Sequence, residues 1–77
     1  MDVNEVRDLV LAAFPESEVD VDLAGGHYTV TVISEGFTGV RSVARQQRVY
    51  PPLASAIAAG HMHAVNIRAL TPAEAAG

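Results

Sequence analysis

Two alternating stretches lie on either side of a glycine pair, and they limit the fold more than any other feature of the chain. Val19, Val21 and Leu23 alternate with Asp20 and Asp22; Tyr28, Val30 and Val32 alternate with Thr29 and Thr31. A period of two puts the apolar side chains of each stretch on one face of a strand and the polar ones on the other. Ala24-Gly25-Gly26 supplies the turn, so the two stretches predict an antiparallel hairpin with one oily face. Two strands alone are marginal in water, so the rest of the chain must cover that face.

The flanking segments carry helical signals. Asp2 followed by Glu5 forms an N-cap pattern close to a capping box. Val3, Val6, Leu9, Val10 and Ala13 then share one helical face, and Pro15 stops the helix near Phe14. Gly36 and Gly39 bracket a loop, and a second helix opens at Ser42 or Val43. Tyr50-Pro51-Pro52 is expected to break it, because proline has no amide proton and crowds the preceding turn. A third helix then starts at Pro51 or Pro52 and carries Leu53, Ala54, Ile57 and Ala58, with Gly60 as its C′ residue. Val65 and Ile67 alternate with Asn66 and Arg68 in a third strand. Thr71-Pro72-Ala73-Glu74 repeats the cap-and-carboxylate pattern and opens a helical stub.

The expected order is α-β-β-α-α-β-α in one domain spanning residues 1–77. A helical crossover between strands of one sheet is right-handed and makes those strands parallel. The fold class is therefore α+β, a mixed three-stranded sheet with helices on one face.

Composition narrows the function. The 77 residues include no cysteine, which excludes disulfides, thiolate zinc sites and a cysteine nucleophile. Metal ligation from this chain falls to His27, His61, His63 and carboxylates. The acidic start and the lack of a long apolar run predict a cytoplasmic chain with no membrane contact. Charge is divided: residues 1–35 hold eight acids and one arginine, net −7, whereas residues 36–77 hold four arginines and one acid, net +3. No Ser-His-Asp pattern, HExxH, Walker loop or dinucleotide-binding glycine fingerprint is present, so no enzyme is expected.

Two groups of residues remain as candidate sites. Arg41, Arg45 and Arg48 follow helical one-face spacing. They read as a solvated face, or as a surface for an acidic protein, for glutathione or for nucleic-acid phosphates. The helices on either side of Tyr50-Pro51-Pro52 also loosely suggest a helix-turn-helix. His63 opens the third strand with the parity of Val65 and Ile67, which on the residues alone favours a partly buried structural histidine. His27 reads as an exposed turn residue, and His61 as solvated.

The stretch GFTGVRSVARQQRVYPPLASAIAAGHMHAVNIRALTP, Gly36 to Pro72, carries a Phe37-x-Gly39 turn, Gln46-Gln47, Tyr50-x-Pro52-Leu53, His63-Ala64-Val65 and Thr71-Pro72. In that order these parts resemble the BolA family, most closely its IbaG branch. The resemblance implies a fold similar to class II KH domains. It also implies a partner, a monothiol glutaredoxin, with which a 2Fe–2S cluster is shared. The histidine that opens the last strand in that family is a cluster ligand, which points to His63. A second ligand, cysteine or histidine, often lies between the first two strands, where His27 is the only imidazole or thiol. The glutaredoxin cysteine and glutathione would supply the thiolates, so no cluster is expected in the isolated protein. DNA binding through Arg41, Arg45 and Arg48 is the alternative that the resemblance also allows, and an apo homodimer stays open.

Overall fold

The capping box at the N-terminus forms as its residues suggest. Asp2 accepts a hydrogen bond from the Glu5 amide at 2.9 Å, and Glu5 accepts one from the Asp2 amide at 3.3 Å, starting helix α1 at Val3–Ala13. Val6 and Val10 on its inner face are fully buried. The computed structural model describes all residues from Met1 to Gly77. Strands β1 (Glu18–Ala24) and β2 (His27–Ile33) pair antiparallel and set Val19 opposite Val32, Val21 opposite Val30 and Leu23 opposite Tyr28. Gly25 and Gly26 both have positive φ, 57° and 80°, the requirement of a tight hairpin turn and one that residues with a Cβ meet poorly.

A short 3-10 turn at Glu35–Phe37 buries Phe37 and leads to helix α2, Ser42–Ala58. Strand β3, Ala64–Leu70, returns parallel to β2, and helix α3, Pro72–Ala76, begins behind a second capping box at Thr71 and Glu74. The strand order is β1-β2-β3, so β2 is central and β3 is an edge. The α+β class, the mixed sheet and the pairing directions agree with the expectations from pattern.

One expectation is corrected. The helix does not break at Tyr50-Pro51-Pro52; α2 runs through both prolines, giving three α-helices in place of four. Proline removes the amides that would bond the carbonyls of Gln47 and Arg48. Gln47, Arg48, Tyr50 and Pro51 are all exposed, so water is available there. Val49, Leu53 and Ala56 lie on one stripe that spans the prolines, and all three are buried against the sheet. Packing of that stripe outweighs the local penalty, as tertiary context commonly does with propensity. The helix-turn-helix suggestion rested on that break and falls with it.

Candidate functional site

Helix α2 ends in a Schellman motif. The Gly60 amide donates to the Ile57 carbonyl at 3.1 Å and the His61 amide to the Ala56 carbonyl at 3.0 Å, with Gly60 at φ 80°. The chain turns sharply there and drops Met62 into the core, where only 1% of it is exposed. His61 and His63 stay on the surface on either side of it. Strand β3 starts at Ala64, so His63 occupies a bend and not the strand itself. The inward parity expected for a strand residue therefore does not apply to His63, and Met62 fills the inward place. Sequence reasoning missed Met62; an apolar residue between two histidines was its only signal.

His27 is the first residue of β2, and its Cα partner across the parallel pairing is Ala64. Neighbouring strands lie about 4.8 Å apart, so the backbone brings His27 and His63 to one end of the sheet on adjacent strands. Both are exposed. The His63 ring leans back toward α2, its Cε1 3.7 Å from the place a Cβ on Gly60 would take. His27 follows the parity of Thr29 and Thr31, on the helix-free face. His61 lies on the bend and joins neither. No three His, Asp or Glu side chains converge anywhere in the chain. This end of the sheet thus holds two solvent-exposed imidazoles, His27 on the helix-free side and His63 turned toward the end of α2.

The arginines do not form one basic face. Arg41 is the exposed N-cap of α2 and makes no side-chain cap. Arg48 is exposed and reaches the Gly36 carbonyl at 3.4 Å. Arg45 folds inward, its side chain only 12% exposed. Its Nε donates to the Val40 carbonyl at 2.7 Å, and its Nη1 donates to the Ala69 carbonyl at 3.1 Å and to Glu74 at 2.5 Å. Its guanidinium also lies 5.9 Å from the Phe37 ring centre. The three-residue spacing was legible, but the commitment of Arg45 to the fold depends on carbonyls from distant segments.

Glu74 closes the Thr71 capping box and accepts from Arg45 with the same oxygen. The Arg45 hydrogen bond, then the Thr71 amide, hold its carboxyl below the ordinary value of 4.5. A carboxylate with a depressed folded-state value contributes stability above its unfolded value and loses it as pH falls through the folded one. The contribution is complete above about pH 4.5 and fades below it. Glu74→Gln, which keeps a capping side chain, is expected to flatten the acid limb of a stability-against-pH curve below that point. An unchanged acid limb in urea titrations would show that the ion pair carries none of it.

The mixed sheet with its single helical layer defines a small α+β domain of BolA type. The family model described as BolA-like protein matches residues 12–74. The chain belongs to the BolA family. It is 42% identical over 74 residues to the acid stress protein IbaG of Escherichia coli K12, covering 96% of this chain and 88% of that one. It is 46% identical over 48 residues to a Vibrio cholerae protein named DNA-binding transcriptional regulator BolA, covering 62% of this chain and 44% of that one. A solved BolA homologue from Coxiella burnetii superposes with a TM-score of 0.81 at 22% identity, covering 100% of this chain and 99% of that one, and shares the fold.

Proposed function

We propose that this IbaG-like chain is a non-catalytic adaptor that binds a monothiol glutaredoxin and co-ligates a bridging 2Fe–2S cluster as cargo for trafficking or iron sensing. His63 is the principal ligand on this chain and His27 the second. The observation that supports the reading is the parallel β2–β3 register, which sets His27 opposite Ala64 and leaves both imidazoles exposed at one sheet end. Neutral imidazole binds iron, and histidine ligation raises the potential of such a cluster relative to thiolate alone. Two imidazoles leave two ligand positions to be filled, which suits the cysteine of the glutaredoxin and its glutathione.

The test is to mix the purified chain with a monothiol glutaredoxin, iron, sulfide and glutathione. A coloured heterocomplex is expected, with the chain alone colourless. His63→Ala is expected to change the visible spectrum and hasten cluster loss while leaving the fold intact. His63 is exposed on a bend, so the substitution should cost no more than about 1 kcal/mol. His61→Ala, two residues away, should leave the spectrum unchanged. A heterocomplex whose spectrum ignores His63→Ala, or stoichiometric iron in the solitary chain, would overturn the assignment.

DNA binding is the second reading, supported by the name of the Vibrio cholerae relative. With Arg45 engaged within the fold, Arg41 and Arg48 are the cations left on that helix, and the reading predicts weak, salt-sensitive, sequence-independent binding. A complex of about 10⁻⁸ M or tighter with one DNA sequence at physiological salt would put this reading first.

A further inference from the structure

The helix-backed side of the sheet has an unfilled border. Strand β3 is an edge, and its outer side is not paired with any strand. The backbone groups of a strand point alternately to its two sides. The Leu70 carbonyl accepts from the Ser34 amide on the β2 side, whereas the Ala69 carbonyl accepts from Arg45. Val65 and Ile67 share the sense of Ala69, so their amides and carbonyls face the open edge. Arg45 closes the Ala69 end of this row and leaves the rest free. Beside it runs a groove of about 300 Å³ lined by Ser42, Val43, Gln46, Gln47, Tyr50 and Ile67. Val43 is 69% exposed and Tyr50 48%, the two most exposed large apolar side chains of the molecule. None of the six lining residues is charged.

The other face of the same edge has a different character. There Asp20, Thr31 and Arg68 form one cross-strand row. Arg68 is exposed and makes no ion pair, the only one in the chain being Arg45–Glu74. A strand laid along β3 would continue that row with its own side chain next to Arg68, where an opposite charge is favoured. Its alternate side chains would lie over Ile67, Val43 and Tyr50, where an apolar group is favoured.

We infer that the β3 edge and the adjoining α2 groove form a docking site for an extended segment of a partner protein with alternating apolar and acidic residues, bound by strand addition. Main-chain hydrogen bonds to Val65 and Ile67 supply the affinity, and the two faces read the alternation. The site does not depend on the histidines or on the cluster reading. A second copy of the chain fits less well. Pairing two β3 edges about a two-fold axis sets Val65 opposite Ile67, but leaves Arg68 opposite an alanine and its charge uncompensated.

The test uses the full chain and a blocked synthetic peptide with the sequence of Glu18–Ala24, which has the required alternation. Saturable NMR shifts and slowed exchange are expected at the Val65 and Ile67 amides. Val43→Glu, at an exposed position, should weaken binding about tenfold by placing a charge in the apolar groove. Arg68→Glu should weaken it about threefold, the scale of one exposed ion pair. A peptide with lysine at its three acidic positions should bind the native chain worse and the Arg68→Glu chain better. The inference is overturned if the shifts fall elsewhere, or if the native chain takes the lysine peptide equally well. It is also overturned if sedimentation shows a dimer that Val43→Glu abolishes, which would assign the face to a second copy.

Discussion

Phe37→Ala is expected to remove a large share of the stability of the chain. Phe37 is 1% exposed and is the largest fully buried side chain of the protein. It meets Phe14 with ring centres 6.0 Å apart and a tilt of 51°, and Arg45 lies over its face. Removing a buried phenylalanine costs about 3–5 kcal/mol, from lost transfer energy and from the cavity left behind. A single domain of this size has a total stability of only about 4–12 kcal/mol. The same change lowers the thermal midpoint by more than about 12 °C in a small domain. Circular dichroism melts would settle the matter; a loss below about 1 kcal/mol would mean that the site collapses around the missing ring. Phe37 sits on a three-residue 3-10 turn, so its cost also reports how firmly that turn is held.

Arg45→Met carries the second largest expected effect. Methionine keeps an apolar stem against Phe37 but removes every donor. The carbonyls of Val40 and Ala69 and the carboxylate of Glu74 then lose their partner together. Hydrogen bonds from a charged donor are each worth more than neutral ones, and partly buried acceptors left unmade keep their desolvation penalty. A loss of about 1.5–3 kcal/mol follows. Arg45→Lys should recover little of it, because one ammonium cannot span the three acceptors that the guanidinium fork reaches. Helix α3 should respond first. It is five residues long, buries no side chain, and is held through Thr71 and the Glu74 contact. Hydrogen exchange at the Ala75 and Gly77 amides should accelerate in the variant more than exchange in β2. A double-mutant cycle with Glu74→Gln should be non-additive, since both changes remove the one ion pair the two residues share. Additive losses would show that Arg45 acts through the backbone carbonyls alone.

The arginine set shows where reading from spacing stops. Helical spacing puts Arg41, Arg45 and Arg48 on one face, yet it cannot tell an exposed guanidinium from one folded against distant backbone. The acceptors of Arg45 belong to Val40, Ala69 and Glu74, and the last two lie 24 and 29 residues away. Long-range acceptors of this kind leave no local periodic signal. Tyr50-Pro51-Pro52 shows the same limit with the opposite outcome. The local rule for proline was sound, but the buried stripe of Val49, Leu53 and Ala56 decided the conformation.

The alternation around Gly25-Gly26, both capping boxes and the Gly60 stop were legible from sequence because each depends on residues within a few positions of one another. The parallel joining of the second and third strands also followed, because chirality and crossover length leave one arrangement. Family membership was likewise legible, from motifs spread over Gly36–Pro72 and matched by the BolA-like model. Tertiary structure alone decided that His63 stands on a bend with Met62 beneath it, that His27 lies opposite Ala64, and that α2 continues through its prolines. Each of these depends on which distant surface an element meets, and burial against that surface outweighs the tenths of a kcal/mol in which local preferences differ.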